Sequence, residues 1–217
     1  MYMEIKEYSS IGNEVAQGGQ TLVVGISINN SYFKAENLEK LIAWASARAR
    51  SVYLMIPDEP AAYTLMALGK TEEVAKKTAR RKSNTLENKC RSIIQHLAID
   101  NAEVIRWRDI TPSRHYQNAL VGIHQAYNDD IYFRQAIIST TRAVLKNGGT
   151  AGPDSNAIKT GIEFLFQELA FITQANSILG EGKTAYVYHH TMHVLKNIIE
   201  GQYSFKADPH VGFITAE

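Results

Sequence analysis

Ser27 is the first side chain in this sequence with an evident chemical use. It follows Gly25 at the end of Leu22-Val23-Val24-Gly25-Ile26, an apolar, β-branched run that predicts a buried strand. From Lys34 the pattern turns helical, with Leu38, Leu41, Ile42 and Ala45 at apolar helix spacing. A hydroxyl between a strand and the next helix lies where open α/β sheets place their chemistry. A plain structural turn is the simpler reading of this segment alone. Gly25-Ile26-Ser27-Ile28-Asn29 lacks the second glycine of a nucleophile elbow, and no Asp and His follow in a matching context.

Glu168 is the second such residue. It sits in an apolar helical stretch with Ile162, Phe164, Leu165, Phe166, Leu169 and Phe171, one turn after Phe164. A carboxylate is costly to bury without a partner. An amino-acid ammonium would resolve that cost, and so would a lysine or arginine elsewhere in the chain. His189 and His193 are four residues apart, but Thr191 and Met192 supply no acid between them and Tyr186 to His189 reads as strand. No metal is expected. Neither G-x-G-x-x-G nor G-x-x-x-x-G-K-[ST] is present, so no nucleotide cofactor is expected either.

The third feature is charge. The net charge is only +1, yet Lys70, Lys76, Lys77, Arg80, Arg81, Lys82, Lys89 and Arg91 crowd one region, opposed by Glu72, Glu73 and Glu87. Thr71 is a good N-cap, and Ala75, Ala79, Leu86, Cys90, Ile93 and Leu97 recur at helical spacing, which predicts one long helix to about His96. Lys76 with Arg80 and Lys77 with Arg81 form a basic stripe on it. Such a stripe is either a solvated face or a phosphate-backbone contact.

These residues need a scaffold. Strands are predicted at Leu22–Ile26, Ser51–Ile56, Glu103–Trp107 and Thr184–His189, with a small one at Val211–Thr215. Helices are predicted at Glu36–Arg50, Glu59–Leu68, Ser113–Tyr127, Asp129–Lys146, Asp154–Thr173 and Met192–Glu200, with Thr111-Pro112 starting the fourth of the chain's helices. Gly148 to Pro153 and Asn176 to Lys183 read as loops. Strand–helix–strand order implies an α/β fold with a mostly parallel sheet. The 217 residues, 45% hydrophobic, suit a single domain spanning 1–217. One cysteine, Cys90, excludes an intrachain disulfide. No signal-peptide core or membrane-length apolar run is evident, so a cytoplasmic protein is expected.

Together, Gly25-Ile26-Ser27-x-x-Asn30-Ser31-Tyr32-Phe33, the basic helix, Phe164-x-x-x-Glu168 and Tyr188-His189 resemble the cyclodipeptide synthases, with their order covering nearly the whole chain. Asn30, Tyr188 and His189 resemble the Asn-Tyr-His subfamily. The resemblance implies a single Rossmann-like domain similar to the catalytic domain of class I tyrosyl- and tryptophanyl-tRNA synthetases. It implies two aminoacyl-tRNAs as substrates, no ATP, and a monomer. It also implies roles. Ser27 would carry the aminoacyl and dipeptidyl groups, Glu168 would hold the α-amino group, and Tyr188 would relay a proton in cyclisation. Asn30 and His189 would orient the site. Lys76, Lys77, Arg80 and Arg81, with Lys89 and Arg91, would bind tRNA. Gly25, Ile28, Asn29, Met55, Asp58 and Tyr63 would line the first amino-acid pocket, and the second pocket would lie nearer the loop from Gly148 to Asp154. Phe164 departs from the family's usual tyrosine, so one hydroxyl expected near the substrate amine is missing, with Glu163 or Tyr186 as neighbours to compensate. No base for Ser27 is identified. Two other readings stay open: a serine esterase or acyltransferase, which needs a histidine bonded to Ser27, and a tRNA-binding domain without catalysis.

Overall fold

The computed structural model describes residues 3–18, 20–28, 30–149, 152–180 and 182–217. The described chain runs β1 (Ile5–Tyr8), α1 (Ser10–Ala16), β2 (Thr21–Gly25), α2 (Ala35–Ser46), β3 (Ser51–Ile56), α3 (Ala61–Ala67), α4 (Glu72–His96) and β4 (Ala102–Arg106). It continues through α5 (Trp107–Ile110), α6 (Arg114–Asp129), α7 (Ile131–Asn147), α8 (Ser155–Ile172), α9 (Ala175–Leu179), β5 (Thr184–Tyr188), α10 (His193–Ile199) and β6 (Val211–Ala216).

The strands form one sheet in the order β1-β6-β5-β2-β3-β4. All neighbours are parallel except β1, which closes the edge antiparallel to β6. The order runs outward from β2 through β3 and β4, then restarts on β2's other side with β5. The switch point therefore lies between β2 and β5, where Val23 opposes Tyr186 and Val24 opposes Val187. Connections leave both strands there in opposite directions and open a crevice at their C-terminal ends.

Alternation along the strands divides the core. Leu22, Val24, Val52, Leu54, Ile56, Ala185 and Val187 pack with α2 and the apolar side of α4. Val23, Met55, Ile105, Tyr186 and Phe213 face the other way, under Leu165, Leu169 and the rest of the larger cluster. Both faces are covered, which is why the central strands read as continuous apolar runs rather than alternating ones.

Helix α4 has the features its sequence predicts. Thr71 caps it by accepting from the Val74 N–H, Glu72 and Glu73 occupy the first turn, and Ala75, Ala79, Ser83, Leu86, Cys90 and Ile93 form its buried seam. Elsewhere the boundaries shift. Trp107 begins α5 instead of ending a strand, because the Asp109 carboxylate accepts from the Arg106 N–H and turns the chain. The next helix starts at Arg114 after Ser113, with Thr111 and Pro112 in the connection. α2 stops at Ser46, four residues before Arg50. β1, α1, α5 and α9 are short elements that the apolar spacing did not mark, α9 falling in the predicted loop from Asn176. Among the described residues no helix is long and apolar enough to cross a membrane.

Candidate active site

Ser27 and Tyr188 stand at the C-terminal ends of the two strands that flank the switch point. The Tyr188 hydroxyl interacts with the side chains of both Ser27 and Asn30. Tyr188 is largely buried, and burial raises its hydroxyl above the ordinary tyrosine range, so it stays a neutral phenol able to donate and accept.

Asn30 is fixed at both ends. Its Oδ1 accepts the Tyr32 N–H at 2.9 Å, so its amide nitrogen is turned toward His189 Nε2 at 2.6 Å. That nitrogen must be an unprotonated acceptor to receive the amide proton, which agrees with the His189 pKa, lowered by burial to about 4. The imidazole stacks on Tyr32, with ring centroids 4.4 Å apart. His189 is therefore a neutral hydrogen-bond acceptor that holds Asn30. Among the described residues Tyr188 reaches Ser27 and no histidine is bonded to it, so the esterase reading lacks its base.

Glu168, on α8, is 9% exposed, and among the described residues no lysine or arginine pairs with it. Burial pushes its carboxyl up to about 7. The polar group beside it is the Tyr186 hydroxyl. A Cβ at position 25 would lie 1.9 Å from that hydroxyl, so Gly25 is required for Tyr186 to occupy this place. Phe164, one turn before Glu168, is only partly buried. Of the two neighbours expected to compensate for Phe164, Tyr186 is thus the one beside Glu168. Its signal in sequence is the period-2 relation to Tyr188, which puts both rings on one face of β5; the rings are nearly parallel, with centroids 6.1 Å apart.

Toward solvent, Ser27 opens into a cleft of about 440 Å3 lined by Ser27, Ile28, Asn30, Phe33, Arg81, Lys82, Thr85, Leu86 and Lys89. Arg81, Thr85 and Lys89 are successive i, i+4 positions of α4 and present one face to it. The basic region thus divides. Arg81 and Lys89 reach the cleft, and Lys82 joins them. Lys76, Lys77 and Arg80 are exposed on α4 outside the cleft lining, and Lys76 pairs with Glu72 at 2.5 Å. Arg91 pairs with Glu87 at 2.8 Å.

Some expected pocket residues have other surroundings. Asp58 accepts from the Arg106 guanidinium at 2.7 and 2.9 Å and from the Trp107 N–H at 3.1 Å. Arg106 in turn bonds Glu87 and Asn84 on α4. Asp58 therefore belongs to an ion network that ties the basic helix to the ends of β3 and β4, and is not a free lining group. Met55 is fully buried in the same core cluster as Tyr186. Tyr63 is half-buried on α3, outside the cleft lining. Ile28 lines the cleft, and Asn29 lies outside the described residues, as do Thr150 and Ala151 of the loop expected near a second pocket. His190 packs against His189 and Tyr188, His193 opens α10, and among the described residues no group of three or more His, Cys, Asp or Glu is arranged to hold a metal ion.

A part-buried serine–tyrosine contact, a buried carboxylate and a cationic cleft suit transfer of an acyl group from a polyanionic carrier. The comparisons agree. The cyclodipeptide synthase family model matches residues 3–217. A cyclo(L-leucyl-L-leucyl) synthase of Bacillus subtilis strain 168 is 25% identical over 215 residues, covering 94% of this chain and 85% of that protein. The crystal structure of a cyclodipeptide synthase from Bacillus thermoamylovorans superposes with a TM-score of 0.90 at 18% identity, covering 100% of this chain and 95% of the other. A Mycobacterium tuberculosis structure, described as demonstrating that cyclodipeptide synthetases are related to type I tRNA synthetases, has a TM-score of 0.86 at 18% identity over 99% of this chain and 92% of that one. This chain belongs to the cyclodipeptide synthase family.

Proposed function

We propose that this chain is a tRNA-dependent cyclodipeptide synthase of the Asn-Tyr-His subfamily, working by ping-pong transfer through esters on Ser27. The observation that carries the reading is that Ser27 shares one cleft with Arg81, Lys82 and Lys89 while its hydroxyl meets Tyr188. A cationic wall draws in a phosphate backbone, and a nucleophile at its foot meets the acyl ester.

In the first step the Ser27 oxygen attacks the ester carbonyl of an aminoacyl-tRNA, and the ribose oxygen leaves with the proton. One ester replaces another, so the exchange needs no further energy source and no nucleotide. The amine of the Ser27-bound residue then attacks the ester of a second aminoacyl-tRNA, giving a dipeptidyl ester and a second free tRNA. Finally the new terminal amine attacks the Ser27 ester, the diketopiperazine leaves, and the serine hydroxyl is restored. Covalent attachment divides one difficult assembly into three transfers, and the last is intramolecular.

Glu168 holds the α-ammonium of the bound residue. Its carboxyl, raised to about 7, is also matched to accept a proton from that ammonium near neutrality, freeing the amine to attack. Tyr188, a neutral phenol touching Ser27, passes a proton to the serine oxygen as the ring closes. Asn30 and His189 keep Tyr188 and Ser27 in register.

The test is incubation with a full set of charged tRNAs, followed by mass detection of diketopiperazines and of acylated protein. Wild type yields both and Ser27→Ala yields neither. Absence of product from every aminoacyl-tRNA rejects the activity, and product from Ser27→Ala rejects the covalent route.

A further inference from the structure

Tyr186 is 1% exposed, and among the described residues its hydroxyl has no hydrogen-bond partner. Leaving a buried hydroxyl unpaired disfavours the fold, and a phenylalanine would fill the same space without that cost. The surroundings nonetheless accommodate the oxygen specifically, since Gly25 is the residue over which it lies. Its polar neighbour is the Glu168 carboxylate, near enough for each group to act on the other as a hydrogen-bonding partner, although no well-aligned hydrogen bond joins them. Glu168 is itself buried with no cationic partner among the described residues. The carboxylate on α8 and the hydroxyl over Gly25 lie together, and Tyr186 shares a face of β5 with Tyr188, whose hydroxyl interacts with Ser27. A single ammonium between them would satisfy both. One turn along α8 from Glu168, Phe164 has no hydroxyl to offer.

We infer that the Tyr186 hydroxyl is the second polar contact, beside Glu168, for the α-ammonium of the aminoacyl group on Ser27, and supplies the hydroxyl that position 164 lacks. This rests on the covalent reading above. It assigns the task of holding the amine to β5 and α8 jointly rather than to α8 alone. The phenol accepts one ammonium proton, and its own proton is directed at the Glu168 carboxylate, so the three groups close a small network around one charge.

The experiment measures single-turnover acylation of Ser27 from a charged tRNA by intact-protein mass, for wild type, Tyr186→Phe, Phe164→Tyr and the double variant. Tyr186→Phe keeps the ring and removes an unsatisfied group, so its melting temperature holds or rises and its affinity for uncharged tRNA is unchanged. Its acylation slows roughly 10- to 100-fold, the scale of one hydrogen bond to a charged group. Adding Phe164→Tyr to Tyr186→Phe restores the rate to within a few-fold of wild type. Acylation by Tyr186→Phe at the wild-type rate overturns the inference. So does a double variant as slow as Tyr186→Phe when Phe164→Tyr alone is active. Failure of wild type to acylate with any charged tRNA is a different result. It overturns the covalent reading itself, and this inference with it.

Discussion

The wall of the cleft and the buried pair Glu168 and Tyr186 handle charge in opposite ways. On the wall, Arg81 and Lys89 stand on the face of α4 in contact with water, and neither forms an ion pair among the described residues. By contrast, Glu168 on α8 and Tyr186 on β5 are buried with no counter-charge among those residues. Solvated cations act at long range, weakly and without regard to sequence, and salt screens them. Desolvated groups act only at contact, but strongly. The same substrate has two ends that match: a polyanionic carrier to be gathered, and a small ammonium to be fixed against a nucleophile. Under the proposed function, gathering and fixing fall to different helices, α4 and α8, which meet the sheet from opposite faces.

Glu168→Gln tests the dry side and has the larger expected effect. Removing the charge that faces the ammonium slows acylation roughly 100-fold or more, while affinity for uncharged tRNA is unchanged. Stability moves the other way and depends on pH. The carboxyl ionises near 4.5 when unconstrained and near 7 in the fold, so the folded state retains an extra proton between those values. Its stabilising contribution is complete below pH 4.5 and is lost as pH rises through about 7, because the ionised form is buried at a cost. Glutamine has no such dependence. Relative to wild type, Glu168→Gln therefore gains stability with rising pH, reaching about 3 kcal/mol above pH ~8 at ~1.36 kcal/mol per pH unit. Denaturant melts at pH 4.5, 6 and 8 read this out. A stability difference that stays constant with pH would place Glu168 in water and erase the contrast between the two regions.

The division was only half legible in the sequence. Strand, helix and strand order and the long α4 follow from local patterns: apolar period, an N-cap threonine, a β-branched run. The late tyrosine–histidine pair stands out only through the family resemblance. Ser27, Asn30, Tyr188 and His189 converge as expected because the switch point brings the ends of β2 and β5 together. The sequence could not separate Arg81 and Lys89 from Lys76 and Arg80, since a charge stripe does not reveal which turn of a 25-residue helix passes the crevice. Asp58 shows a second limit. The family resemblance places it in the pocket, yet Arg106, 48 positions later, donates twice to its Oδ2 and the Trp107 N–H occupies its Oδ1. In the sequence Tyr186 stands only as one of two neighbours able to make up for the hydroxyl missing at Phe164. Its meaning depends on what lies across the sheet at Gly25, and that is a tertiary fact.

The smaller effect is on the wet side, and it can be split along α4. Arg81→Ala with Lys89→Ala weakens binding of uncharged tRNA roughly tenfold at moderate salt. It also lowers the slope of log affinity against log salt by about 0.7–0.9 for each phosphate that is no longer neutralised. Lys76→Ala changes affinity less than about twofold, because its ammonium already meets Glu72 and both groups are largely solvated. Single-turnover acylation at saturating tRNA is unaffected in either case, since these residues gather the carrier and do not touch the reacting ester. Equal reductions from the two sets would mean that tRNA lies along the whole helix and that the cleft has no privileged wall. Slower acylation at saturating tRNA from Arg81→Ala would instead bring that guanidinium against the terminal ribose and merge the two functions at Ser27.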